Sequence, residues 1–369
     1  MGRLHPRAGP AVPSPGPART TASVLLSTSL RIALVLTFVA LPLAAIGNAD
    51  AVNPSPETAV KRKPPPELSL GWKTNFDKSL VPFSEFQSGG PGKDGIPAID
   101  RPRFAAVDAV NFLRPAEPVI ELVVRGRARA YPLQILIWHE IVNDRIAGVP
   151  VTVTFCPLCN TAIVFDRRSG RRVLDFGVSG NLRNSDLVMF DRQTESWWQQ
   201  FGGQSLVGDL AGTRLRKLPS RIVSWADFQQ AHPRGEVLTR ETGHQRSYGQ
   251  NPYAGYDDVD SPPFFPTKHG DDDRLAPKER VVFLERGDEA VAVPHSVLAR
   301  KRSVEVQLAG ATYVVRVRGN VSSPLDRGTL ADGRDILAVD VTVNGKRVAF
   351  DEPFWFAVAA FRPDTRIVR

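Results

Sequence analysis

Val151-Thr152-Val153-Thr154-Phe155-Cys156-Pro157-Leu158-Cys159-Asn160-Thr161-Ala162 carries a β-branched run straight into a Cys-Pro-x-Cys motif, and Ile163-Val164-Phe165-Asp166 continues it as a second strand-like run before Arg168-Ser169-Gly170. Alternating β-branched and aromatic residues on both sides of the motif predict a hairpin. In a thioredoxin-like protein the CxxC pair opens a helix whose N-terminus lowers the first thiol's pKa. A strand in that place predicts a fold that is not thioredoxin-like. Cys156 and Cys159 are the only two cysteines among 369 residues, so any sulfur chemistry of the chain belongs here.

Upstream of the motif, Val119 to Val124 reads as a strand, Arg125-Gly126-Arg127 as a tight turn, and Ala128 to Tyr131 as the returning strand. Pro132 then opens a short helix-like segment through Leu136 and Ile137, and Ala147-Gly148 turns the chain into the cysteine strand. Residues 281–318 repeat this block. Val281–Gly287, Ala292-Val293-Pro294, Leu298, Ala309-Gly310 and Thr312–Val317 follow in the same register, with a one-residue gap in the first turn, and Arg318 stands where Cys156 stands in the first copy. A third, weaker echo is visible around Val341–Pro353. The pattern predicts an α+β, β-rich fold of short strands and hairpins with few short helices, built on a partly duplicated β-hairpin/short-helix/strand unit. Residues 98–278 then form the cysteine-containing domain with a hairpin insert, and residues 279–369 the second copy, packed on the first. A scaffold whose second copy lacks cysteine does not require cysteine.

Composition sets the remaining bounds. The chain is 42% hydrophobic and 23% charged with a formal net charge of +8, and the charge is spread and interleaved with acids. Without a basic stripe or a Lys/Arg run it reads as a solvated surface, and no nucleic-acid partner is expected. Arg3, Arg7, Arg19 and Arg31 precede the uncharged run Ile32–Ile46, and Ala49-Asp50-Ala51 follows. This order predicts an export signal over residues 1–51, cut after about Ala51. The alternative is a membrane anchor over residues 24–46. Either places the working part in a periplasmic or extracellular compartment, with the N-terminal segment as its one membrane contact. Residues 52–97 read as a Pro/Gly-rich linker and arm, with continuous folded structure beginning near Ala98.

In an oxidising compartment a lone cysteine pair is oxidised or holds a metal more readily than it rests as two free thiols. A disulfide across so short a loop contributes little through chain entropy. The first reading is therefore a redox-active pair, Cys156 and Cys159 assisted by His139, acting on a small-molecule or protein-thiol substrate and needing no cofactor. The second is a soft-metal site, first of all for Cu(I) with zinc as the other candidate, with Cys156, Cys159 and His139 as ligands; a zinc site needs His139, His244 or His269 to complete it. The third is a non-catalytic binding domain with a structural disulfide. Strand alternation puts Glu195, Trp197 and Gln199 on one face, and with Tyr253 and Tyr256 of the long segment 247–278 they form a candidate ligand pocket. Asp271-Asp272-Asp273 lacks calcium-loop spacing and reads as a solvated loop.

Ala130-Tyr131-Pro132, His139–Asp144, Thr154–Thr161, Asp191–Gln199 and Gln250–Tyr256, in that order, resemble the bacterial domain-of-unknown-function family 3179 over about residues 98–360. The resemblance implies little settled activity. It does imply reactive sulfur, because some members carry selenocysteine at the motif, an exchange that suits a redox nucleophile better than an inert thiol.

Overall fold

Short β-branched runs joined by tight turns bury their apolar faces only by stacking small sheets. The computed structural model, which describes residues 63–369, holds five sheets of three to five strands and a two-stranded ribbon. The cysteine strand Val149–Cys156 is central in a sheet ordered Arg216–Leu218, Thr161–Asp166, Val149–Cys156, Ile141–Ile146. The insert forms another sheet, ordered Phe86–Ser88, Phe176–Arg183, Asp186–Asp191, Trp197–Gln199, Ser205–Val207. The predicted α+β class is overturned. Strand makes up 41% and helix 13%, and the small sheets stand in a five-bladed, propeller-like arrangement. No α-helix among the described residues exceeds seven residues. Such helices are too short to persist alone. They connect hairpins and are held by buried faces such as Leu133, Ile135, Leu136 and Ile137, so they add no layer of their own.

Backbone geometry recurs between the two halves in detail. The helices Leu133–His139 and His295–Lys301 each follow a proline and end in a left-handed residue, Glu140 (φ 57°) and Arg302 (φ 58°). The carbonyls of those residues accept from Phe155 N at 2.8 Å and Val317 N at 2.9 Å. Ala147-Gly148 and Ala309-Gly310 are both left-handed pairs, as a two-residue hairpin turn of the strands' own twist requires. Two details differ from the sequence reading. The first turns, Arg125-Gly126 and Gly287-Asp288, are equal in length, the glycine merely changing place. The weak third echo is the outer edge of the second unit: Lys346–Arg347 pairs with Asp335–Val343 as Arg216–Leu218 pairs with Thr161–Asp166. Each unit also closes with a helix and a parallel strand, Trp225–Ala231 with Glu236–Leu238 and Trp355–Phe361 with Arg366–Ile367.

Ordered packing begins well before Ala98. Trp72, Phe76 and Phe86 set their rings 5.3–5.4 Å from Trp197, edge to face, and Phe86–Ser88 pairs with Asn181–Arg183 at the edge of the insert sheet. Aromatic burial of this kind outweighs the irregular backbone of a Pro- and Gly-rich arm. The predicted signal or anchor lies outside the described residues.

The segment 247–278 has little regular structure but is tied down through Asp257, which is 1% exposed. Its carboxylate accepts from Arg334 at 2.8 Å, Arg280 at 3.1 Å and the Ser323 hydroxyl. Burial raises its pKa, and the two guanidiniums outweigh that and bring it below the usual range. Removing one member of a buried charge network strands the others. Asp257→Ala is expected to lower the unfolding free energy in a urea titration by about 3–5 kcal/mol, whereas Glu241→Ala, which opens the exposed pair with Arg103, leaves it unchanged within error.

Candidate functional site

Cys156 ends its strand, pairs with Thr161 across the turn, and is followed by Pro157–Asn160, with Asn160 left-handed at φ 58°. This tight turn folds Cys159 back beside Cys156. Both are free thiols. The two sulfurs and a carboxylate oxygen of Asp186 all lie within 4.8 Å of one another, and the residues are 1%, 0% and 0% exposed.

Asp186 comes from the insert. It opens the strand Asp186–Asp191 after Asn184 and Ser185, both left-handed without being glycine (φ 52° and 58°); backbone held this way is strained and persists only where its surroundings enforce it. Oδ1 accepts from the Cys159 thiol at 2.8 Å, and Oδ2 accepts from Phe201 N at 2.9 Å and from the Gln199 amide. Cys159 Sγ also lies 2.9 Å from Thr161 Oγ1, which donates to Gln200 Oε1 at 2.7 Å. Gln200 Nε2 in turn donates to Thr154 Oγ1 at 2.9 Å. Cys159 and Thr161 carry one proton each for three contacts, so with the thiol proton on Asp186 and the hydroxyl proton on Gln200 the sulfur–hydroxyl contact has none.

The electrostatics follow from exclusion of water. Burial pushes Asp186 up to about 6 against its hydrogen bonds. Burial raises Cys156, with the Asp186 and Glu140 charges adding to it, and holds Cys159 well above the ordinary thiol range. Glu140 is the left-handed cap beside the cysteine strand, 8% exposed. Burial and the Asp186 charge push its carboxyl up to about 8 with no hydrogen bond to offset them.

The other expected residues divide. His139 is fully buried, but Nδ1 donates to the Pro97 carbonyl at 2.7 Å and Nε2 accepts from the Tyr248 hydroxyl at 2.7 Å. Burial lowers its pKa to about 4. Both ring nitrogens are engaged, so His139 is not directed at the sulfurs and Asp186 stands in the place the sequence reading gave it. Tyr256 donates to the Leu158 carbonyl at 2.9 Å. Burial raises Tyr253, with the Glu140 and Cys156 charges adding to it. Tyr256 therefore borders the cysteine turn, and the Tyr253 ring lies 6.4 Å from the Tyr256 ring. Gln199 orients Asp186, but Glu195 and Trp197 lie apart from it. Glu195 occupies a left-handed turn before the strand and binds Lys93 at 2.6 Å, and Trp197 packs among the arm's aromatics. Trp197 and Gln199 keep the strand's alternation opposite Phe190 and Val188, whereas Glu195 precedes the strand and so leaves the face the three were expected to share.

Glu140 and Asp186 were missed. The one signal for Glu140 was the duplicated register, which puts Arg302 at its place in the second unit. Asp186 had none, since its partner is 27 residues away.

A β-rich chain with a buried dithiol–carboxylate cluster on a hairpin turn defines the class of protein. The family described as protein of unknown function (DUF3179) matches residues 93–365, and the chain belongs to that family. No curated protein and no solved structure matches it.

A carboxyl whose folded pKa is raised contributes stability that is present below its unfolded pKa and lost as pH rises through the folded value. For Glu140 that window runs from about 4.5 to about 8. Glu140→Gln is therefore expected to be more stable than the wild type at pH 8, by on the order of 2–4 kcal/mol, and equal to it at pH 4, by urea titration of the metal-free protein.

Proposed function

We propose that Cys156, Cys159 and Asp186 form a metal centre and that Zn²⁺ is the ion its donor set suits. The carrying observation is the convergence of these three ligand-type atoms from buried residues. Zn–S and Zn–O bonds of about 2.3 and 2.0–2.2 Å ask for only a small contraction of such a cluster. The carboxylate is a hard donor that suits Zn²⁺ better than Cu(I). An ion would replace the thiol protons and take over the contact that the Cys159 proton makes with Asp186.

Three protein donors leave a position for water or substrate, the pattern of catalytic rather than structural zinc sites. Glu140, a carboxyl largely protonated near neutral pH, is placed beside Cys156 to give or take a proton there. Bound zinc would supply Lewis-acid activation at that position. The competing dithiol–disulfide reading needs a thiolate in the metal-free chain, and burial raises the pKa of both thiols. Support for an exported setting is the Arg-flanked apolar run in the sequence.

Elemental analysis of the purified chain tests the reading: one zinc per chain is expected, lost in Cys156→Ser and in Asp186→Asn and kept in His139→Ala. Gln199→Leu, which removes one of the two donors on Asp186 Oδ2, is expected to weaken zinc about 10–100-fold. A metal-free chain whose sulfurs interconvert between dithiol and disulfide under mild reductant would defeat this reading and favour redox chemistry.

A further inference from the structure

A cleft of about 580 Å³, lined by the Asp186 partners Gln199 and Phe201, opens between the insert sheet and the end of the helix Trp355–Phe361. A volume of this size suits a small metabolite. Its walls carry Arg183, Arg214, Lys268 and Arg362 against one lining carboxylate, Glu285. Phe201 and Phe361 stack there with centroids 4.9 Å apart and planes at 16°, and the Arg183 guanidinium lies 5.3 Å from the Phe361 ring.

The cations are pre-positioned. Arg183, with a side chain 12% exposed, is held by Glu85, and Glu85 also accepts from Lys268 Nζ at 2.6 Å. Arg362 pairs with Glu285. Arg214 touches the amide oxygen of Gln204 at 3.0 Å. Counting both carboxylates, the group keeps an excess of two positive charges. Partly desolvated guanidiniums beside aromatic faces are the arrangement that recognises planar or tetrahedral oxyanions.

The cleft shares a wall with the cysteine site. Arg183 donates to Gln199 Oε1 at 3.2 Å, while the other end of that amide and the Phe201 N–H both bond Asp186. We infer that this cleft binds a small oxyanion, the carboxylate or phosphate group of a metabolite, through Arg183, Arg214, Lys268 and Arg362 over the Phe201–Phe361 stack. The inference goes beyond the metal reading and stands without it, because none of these residues is a proposed ligand.

Calorimetric titration of the full chain with inorganic phosphate and, separately, malonate, at constant ionic strength set by chloride, tests it. The probe with the tighter saturable one-site binding names the group. Arg214→Ala with Lys268→Ala, both exposed, is expected to weaken that binding at least about tenfold. Arg300→Ala with Arg316→Ala on the second unit is expected to leave it unchanged. Absence of saturable heat from both probes, or equal affinity in the Arg214/Lys268 variant, would overturn the inference. A chain that holds zinc yet ignores both anions sinks this inference alone, and one that binds an anion yet no zinc sinks the metal reading alone.

Discussion

A carboxylate withdrawn from water is tolerated only where hydrogen bonds or a cation replace its hydration. Asp186 has the Phe201 N–H, the Gln199 amide and the Cys159 thiol as donors, and they leave its pKa raised to about 6. Burial therefore still outweighs them in the metal-free chain. The rest of the site is arranged around that imbalance. The left-handed pair Asn184-Ser185 holds the aspartate in the interior, the Gln200 amide spans Thr154 and Thr161 beneath the turn, and Tyr256 closes over Leu158.

The duplicated frame separates what the scaffold needs from what the chemistry needs. Both units use a proline before a two-turn helix, a left-handed cap and a hairpin whose strand bonds back to that cap. At the cap one unit buries Glu140 and the other exposes Arg302; one strand ends in the buried Cys156, and the other exposes Arg318 at a register shift and runs on to Ser322. The backbone accepts either pair, so the glutamate and the cysteine are not there to make the fold. Their burial at a position the second unit leaves to solvent marks an added site.

Much of this was legible where it depended on local rules. The β-branched runs, the Ala-Gly turns and the prolines at helix starts showed the hairpins and their register, because turn geometry and side-chain alternation are short-range. The fold class was not legible, since apolar periodicity locates a helix without showing whether it forms a layer or a connector. The cysteines were evident from scarcity alone. Asp186 was not, because the feature that distinguishes it from any surface aspartate is the turn of another sheet laid against it. His139 illustrates the converse: a histidine two residues before the strand that pairs with the cysteine strand reads as a neighbour, but its ring turns toward Pro97 and Tyr248. The arm failed by composition, its glycines and prolines outweighing in appearance the few aromatic rings that dock it.

The bracing of the cysteine turn has a consequence for assembly. Asn160 donates to the Glu352 carbonyl, 192 residues away, and Phe354 N donates to the Cys159 carbonyl at 3.0 Å. Contacts of such sequence separation close large loops and form late, after the local hairpins. An unfolded or partly translated chain therefore offers the CxxC turn without the bracing of Glu352 and Phe354. The turn that holds both cysteines is fully framed only once the C-terminal segment has docked, so its rigidity would report completed folding of the whole chain.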